Sequence, residues 1–364
     1  MSEPRFLFES WRGRYADSPR SISEHLADAW PSARRTWVST GDPAAFPADV
    51  RTVRRHSARY FADLLRTDVL MANDIISQHR VKGPGVTYVQ LWHGTPLKLI
   101  GYDERAHAYS GAQAHLQRMA RDVAKWDYLV SPSPTCTGLF RSAFGYDGPV
   151  WETGYPRNDV LSSDAAPEIR ARTRAALGLA PDALVVLHAP TWRDDDKDAD
   201  GRFRQSVLPD LAALEDALPD GSRLLLRLHK NVTAAGLPGA DGFVVDVSAH
   251  PEIAELYLAA DVLVSDYSSA VFDFTVTGKP VVLFAPDLER YRDDTRGFYF
   301  DYEDWAPGPV CATTDELADA LSDLPRHRAA HQDSYDAFVE RFCPHEDGHA
   351  GERVVELVRS ALQR

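Results

Sequence analysis

The stretch VLVSDYSSAVFDFTVTGKPVVLF, residues 262–284, reads as one complete strand–helix–strand unit. Val262 to Val264 is a short β-branched run, Phe272 to Thr277 an apolar helical segment, and Pro280 to Phe284 a second strand after Gly278-Lys279. Two parallel strands joined by a helix are the building block of an α/β sheet, and no antiparallel hairpin explains this spacing. The polar insert Ser265-Asp266-Tyr267-Ser268-Ser269 falls where strand becomes helix. There two hydroxyls can cap exposed N–H groups, or the same N–H groups can hold phosphate oxygens; spacing leaves both open.

The same alternation extends in both directions. Toward the C-terminal side lie no further clear strands, only helices over Ser334–Phe342 and Glu352–Leu362. Backward, strands are expected at Leu184–Leu187, Arg223–Leu228 and Gly242–Val245, with helices at Pro209–Leu218 and Ile253–Ala260. A helical linker, Asp164 to Gly178, separates these from an earlier series at Phe6–Phe8, Asp68–Met71, Val86–Leu91, Trp126–Val130 and Pro149–Glu152. Two series in 364 residues predict two Rossmann-like domains facing a central cleft. The expected boundaries are 1–163 for an acceptor-side domain, 164–333 for a donor-binding domain and 334–364 for helices packing across the two.

Composition excludes several classes. A net charge of −14 lacks the basic footprint needed to wrap nucleic acid. Cys136, Cys311 and Cys343 have no CxxC spacing and read as reduced structural thiols. No zinc or calcium ligand spacing, GxGxxG fingerprint, Walker A loop or GxSxG elbow is present, so no cofactor or metal is expected; Thr191-Trp192-Arg193-Asp194-Asp195-Asp196 is not read as a metal site. The Asp-rich run Asp194–Asp200 reads as a mobile surface loop. The first ten residues do not form a signal peptide and no run of about 20 apolar residues spans a bilayer, so a cytoplasmic protein is expected, with any contact to the inner face of the plasma membrane peripheral. The segment Arg51 to Tyr60 is a candidate for that contact and also fits a solvated helix face.

Unusual polar residues cluster just past the strand ends: His93, Thr153, Thr191, His229 and Asp266. In open parallel sheets that is where ligands bind. His93, followed by Gly94, suits a general base. Arg227, His229 and Lys230 suit a diphosphate, as do Arg292 and Arg296 in an aromatic-rich loop.

Phe8-Glu9-Ser10, Trp92-His93-Gly94-Thr95-Pro96-Leu97-Lys98, Thr153 through Asp159, Ala189 through Arg193, Arg227-Leu228-His229, Ser265 through Ser269, Tyr291 through Phe300 and Ala306 through Pro309 together resemble the CDP-glycerol glycerophosphotransferase family. That family comprises teichoic acid primases and polymerases and related capsule polymerases. The resemblance implies a GT-B-like fold and no essential metal. It implies transfer of polyol phosphate, glycerol phosphate first, from CDP-glycerol or CDP-ribitol to a glycopolymer or lipid-linked acceptor with release of CMP. It places catalysis on His93 and His229, and donor binding on Thr191, Arg193, Arg227, Asp266, Ser268, Ser269, Arg292 and Arg296. Gly94, Thr95, Lys98 and Arg157 fall on the acceptor side. The alternative is a GT-B nucleotide-sugar glycosyltransferase, for which Glu289 and Glu303 offer carboxylates and which would release a nucleoside diphosphate.

Overall fold

A computed structural model describes residues 3–76, 82–104, 112–191, 193, 207–228, 242–292 and 297–363. The chain divides into two compact units: Met1–Thr95 with Leu99–Ser162 and Arg341–Arg364, and Pro96–Lys98 with Ser163–Glu340.

The first unit is built on strands β1 (Arg5–Glu9), β2 (Arg34–Ser39), β3 (Arg51–Arg54), β4 (Val69–Ala72), β5 (Thr87–Gln90), β6 (Tyr128–Ser131) and β7 (Val150–Glu152). They pair all-parallel in the order β3-β2-β1-β4-β5-β6-β7. Side chains alternate between two cores. Leu7, Leu70, Tyr88 and Leu129 feed one; Phe6, Phe8, Met71 and Val89 feed the other. Both faces are therefore covered, as a parallel sheet requires. The second unit carries β8 (Val185–Ala189), β9 (Arg223–Leu226), β10 (Val244–Asp246), β11 (Val262–Ser265), β12 (Val281–Phe284) and β13 (Val310–Cys311) in the parallel order β10-β9-β8-β11-β12-β13. The α/β architecture with two Rossmann-like domains stands as expected. The stretch at 262–284 is β11, the short helix Ala270–Thr275 and β12, paired in parallel from Leu263↔Val281 to Ser265↔Leu283.

Local sequence signals set the helix ends. Ser133 caps Pro134–Phe144 by accepting from the Cys136 N–H, Pro134 occupies the first turn, and Gly145 closes the helix at φ 59°. The segment Arg51–Tyr60 is not one helix face. It splits into strand β3 and helix α2 below, because Thr52-Val53 prefer a pleated edge and Ser57 starts a new helix by accepting from the Tyr60 N–H. Strands β2 and β13 also lie outside the sequence expectation; β2 opens on Arg34-Arg35, which hides its buried half Thr36–Ser39.

Two helices position the site described below: α1 (Asp17–Ala29) and α2 (Ala58–Arg66). The C-terminal helix Ala350–Leu362 packs on the first unit, with Val354, Val355 and Val358 in the core that holds Phe6 and Phe8. Each such valine contributes about 1.5–3 kcal/mol before chain entropy is counted. Asp159 caps this helix, its two carboxylate oxygens accepting from the Ala350 and Gly351 N–H groups at 2.9 and 2.7 Å. Gly154 is at φ +83° and a Cβ there would lie 2.5 Å from the His345 carbonyl oxygen, so glycine is required by close approach. The Thr153–Asp159 motif thus anchors the chain's C-terminal segment, with Arg353 also donating to the Thr153 carbonyl at 2.7 and 3.0 Å.

Candidate active site

In the first sheet the strand order reverses between β1 and β4, and the segments leaving their carboxyl ends converge on His93. The Asn73 carbonyl, just past β4, accepts from His93 Nδ1 at 2.5 Å. A carbonyl cannot donate, so Nδ1 carries the proton and Nε2 is left with its lone pair, the tautomer a general base needs. Burial lowers the His93 pKa; the Asn73 bond and the charges of Asp74 and Asp17 work against that, and Arg157 works with it. The imidazole is therefore neutral at neutral pH. The indoles of Trp11 and Trp92 flank it, with ring centroids at 4.8 and 4.1 Å.

The backbone around His93 is strained. Among the described residues five non-glycine positions have φ in the left-handed region, and four of them, Trp11, Arg12, Asp17 and Trp92, belong to the segments around this histidine. Each such position costs about 1–3 kcal/mol and persists only where surrounding contacts enforce it. The enforcing contacts are visible. Asn73 Oδ1 accepts from the Trp11 N–H at 3.2 Å, and Asp17 Oδ2 accepts from the Trp11 indole N–H at 3.1 Å. Beneath the turn, buried Glu9 accepts from Arg55 and from the Tyr60 hydroxyl, both at 2.6 Å. Burial raises the Glu9 pKa against the pull of Arg55 and Tyr60.

Of the expected acceptor-side residues, Arg157 has its guanidinium 4.6 Å from the Tyr155 ring and 3.4 Å from Asp17 Oδ1, and its charge reaches His93. Gly94 and Thr95 are buried directly after it. Lys98 counts with the second unit, where it bridges Phe298. Sequence reasoning missed Asn73, Trp11 and Asp17. Asn73 is fully buried and its Nδ2 has no partner among the described residues.

In the second sheet the order reverses between β8 and β11. Thr191 follows β8 and Asp266 follows β11, so the two straddle the switch point. Asp266 Oδ1 accepts from the Thr191 and Tyr267 N–H groups at 2.8 and 2.6 Å, and Oδ2 from Arg193 at 2.9 Å. Arg193 forms a two-pronged pair with Asp287 at 2.8 Å on each arm and donates to the Thr191 carbonyl at 2.6 Å. Its guanidinium lies 4.9 Å from both the Tyr267 and Tyr291 rings. Asp266 and Arg193 are thus spent on one another and on the backbone, which gives them a supporting part. Other hydroxyls near that support are less committed. The buried Thr191 Oγ1 has no partner among the described residues, Ser268 Oγ accepts from the Ala270 N–H at 3.2 Å, and Ser269 makes no side-chain capping bond. Arg227 donates to the carbonyls of Val247 and His250, and burial lowers its pKa. Arg292 is exposed beside Tyr291. His229, Arg296 and the run Asp194–Asp200 lie outside the described residues. No cluster of three or more metal-ligating side chains occurs among the described residues.

Two parallel sheets, each with polar groups gathered at the carboxyl edge of its switch point, define an α/β protein of two Rossmann-like domains with a GT-B-like fold. The chain belongs to the CDP-glycerol:poly(glycerophosphate) glycerophosphotransferase family, whose sequence model matches residues 2–360. The teichoic acid glycerol-phosphate transferase of Staphylococcus aureus is 37% identical over 360 residues, covering 96% of this chain and 92% of that protein. The teichoic acid poly(glycerol phosphate) polymerase of Bacillus subtilis is 35% identical over 98% of this chain and 48% of its own length. The chain thus spans about half the length of that polymerase and of its Staphylococcus epidermidis counterpart. Among solved structures, the wall teichoic acid polymerase TagF superposes with a TM-score of 0.91 at 34% identity, covering 99% of this chain and 89% of that one. Anabaena HepE, 14% identical with a TM-score of 0.52 over 98% of this chain and 100% of its own, shares the fold alone.

Proposed function

We propose that the protein transfers glycerol phosphate from CDP-glycerol to a hydroxyl of a teichoic-acid-like acceptor and releases CMP. The observation that carries this reading is the locked, neutral His93, with an unprotonated Nε2, in a member of this family. In the proposed step His93 Nε2 takes the proton of the acceptor hydroxyl. That oxygen forms a bond to the donor's glycerol-bearing phosphorus, and the bond from this phosphorus to the CMP oxygen breaks, CMP leaving with the electron pair. Phosphoryl transfer is chiefly a matter of position and charge. Arg157 supplies positive charge that reaches the base. The hydroxyls of Thr191, Ser268 and Ser269, on the firm base of Asp266 and Arg193, supply donors for diphosphate oxygens, with His229, Arg292 and Arg296 completing that set. The names of the relatives favour glycerol over ribitol as the donated polyol. Incubation with CDP-glycerol and a glycerol-phosphate-bearing acceptor should release CMP in proportion to acceptor extension. Release of a nucleoside diphosphate from a nucleotide sugar, and none from CDP-glycerol or CDP-ribitol, would overturn the assignment in favour of a glycosyltransferase.

The same reading includes a peripheral membrane contact. No helix among the described residues is long and apolar enough to cross a membrane. The outer face of α2 exposes Phe61 and Leu65 at 44% and 50%, next to exposed Arg59 and Arg66. Apolar and cationic side chains on one helical surface suit the headgroup layer of an anionic bilayer. Charge reversal of Arg59 and Arg66 to Glu should abolish co-sedimentation with phosphatidylglycerol vesicles while leaving CMP release on a water-soluble acceptor unchanged. Undiminished sedimentation would remove this surface from consideration.

A further inference from the structure

Asp17 occupies a position that its conformation alone disfavours. It opens α1 at φ +63°, in the left-handed region where a side chain costs energy and glycine does not. Its carboxylate is only 10% exposed and is divided between three partners. Oδ2 accepts from the Trp11 indole N–H at 3.1 Å, while Oδ1 accepts from the Ser18 N–H at 2.6 Å and faces the Arg157 guanidinium at 3.4 Å. Trp11 lies against the His93 ring and Arg157 acts electrostatically on the same imidazole. One carboxylate therefore binds both the indole packed on the histidine and a guanidinium whose charge reaches it.

We infer that Asp17 is a positioning residue for His93: it fixes the Trp11 indole against the imidazole and anchors the guanidinium of Arg157. This rests on the reading of His93 as the general base. Strain retained at a buried, multiply bonded carboxylate is what a site that must hold its geometry shows. The charges that act on His93 are those of Asp17 at the start of α1, Asp74 after β4 and Arg157, with Arg12 paired to Asp74 at 3.4 Å. The two acids favour the protonated imidazole and Arg157 opposes it. Removing the Asp17 charge must therefore lower the His93 pKa. A general base works only when unprotonated, so the acid limb of activity follows that pKa downward.

The test uses the full chain and two variants, Asp17→Asn and Asp17→Gly, with CMP release from CDP-glycerol measured as kcat/KM across pH. Asn tolerates the left-handed backbone and Gly prefers it, so both are expected to fold. The expected result is a loss of kcat/KM of about tenfold to a hundredfold in both variants, with the acid limb shifted to lower pH. A loss of activity without a shift of that limb, or no loss at all, would overturn the inference and leave Asp17 a folding residue. The parallel His93→Ala protein separates the two ideas. If it retains turnover, the base reading itself has failed; if it is inactive and the Asp17 limb is unmoved, only the positioning role has.

Discussion

Replacing His93 with alanine should reduce CMP release by about a hundredfold to ten-thousandfold, the range over which positioned acid–base groups act. The expectation follows from geometry rather than from the presence of a histidine in a motif. Nδ1 is bound to the Asn73 carbonyl, so Nε2 is the only ring atom able to accept a proton, and burial keeps the ring neutral. A glutamine there fills similar volume and still has an oxygen, yet it cannot take up a proton near neutral pH, so His93→Gln should be as impaired as His93→Ala. The loss should lie in kcat more than in KM, because the proton moves in the transition state and the ground-state contacts remain. The parent's kcat/KM should rise with pH and level off below the range of an ordinary histidine, the acid limb lying low because burial holds the His93 pKa down. Near-normal turnover in both variants would remove His93 from the chemistry and place the base elsewhere, His229 first.

The outline of this fold is legible in the sequence because parallel strands buried on both faces are short apolar runs with polar residues at their ends. Val262–Ser265 and Val281–Phe284 are such runs, and the turn between them carries Asp266, Ser268 and Ser269. Arg34–Ser39 and Arg51–Arg54 were not legible because arginines fill part of each strand: β2 buries only Thr36 to Ser39 and β3 only Val53. The site was partly legible in the same way. His93 stands after a strand and before a glycine, a pattern that can be read. Asn73 does its work through its carbonyl, which no residue type advertises, and the side chains of Trp11 and Asp17 are aimed by left-handed backbone, which sequence signals only for glycine. The glycine of the turn Trp11-Arg12-Gly13, shortly after β1, is the one trace they leave. Arg193 and Asp266 show the converse. Sequence marks them as phosphate ligands, and the structure pairs them with one another and with Asp287.

That support leads to the largest expected stability effect. Arg193→Ala should cost the second unit about 3–5 kcal/mol, the penalty for leaving buried carboxylates without their partner. The Arg193 side chain is 5% exposed, with Asp266 at 2% and Asp287 at 18%. Both acids remain after the substitution, and neither has another cation among its bonds to the described residues; the Tyr267 hydroxyl at 2.9 Å from Asp287 is a neutral donor. Lysine does not restore the arrangement, because one ammonium cannot span the two prongs to Asp287 and also reach Asp266 and the Thr191 carbonyl. The pH dependence has a definite sign. Burial alone would raise the Asp287 pKa, but the bonds and charge of Arg193 bring it below the ordinary carboxylate value. A carboxylate lowered on folding contributes stability above its unfolded pKa of about 3.9 and loses it as pH falls through the folded value. In Arg193→Ala the same carboxylate is buried without a counter-charge, its folded pKa lies above the unfolded one, and protonation relieves the penalty. The deficit should therefore be greatest near pH 7 and shrink steadily as pH drops below about 5. Urea unfolding monitored at both pH values measures this directly, with the second unit's transition moving and the first unit's staying in place. A deficit that is the same at both pH values would mean that lost packing against Tyr267 and Tyr291, rather than charge, is what Arg193 provides.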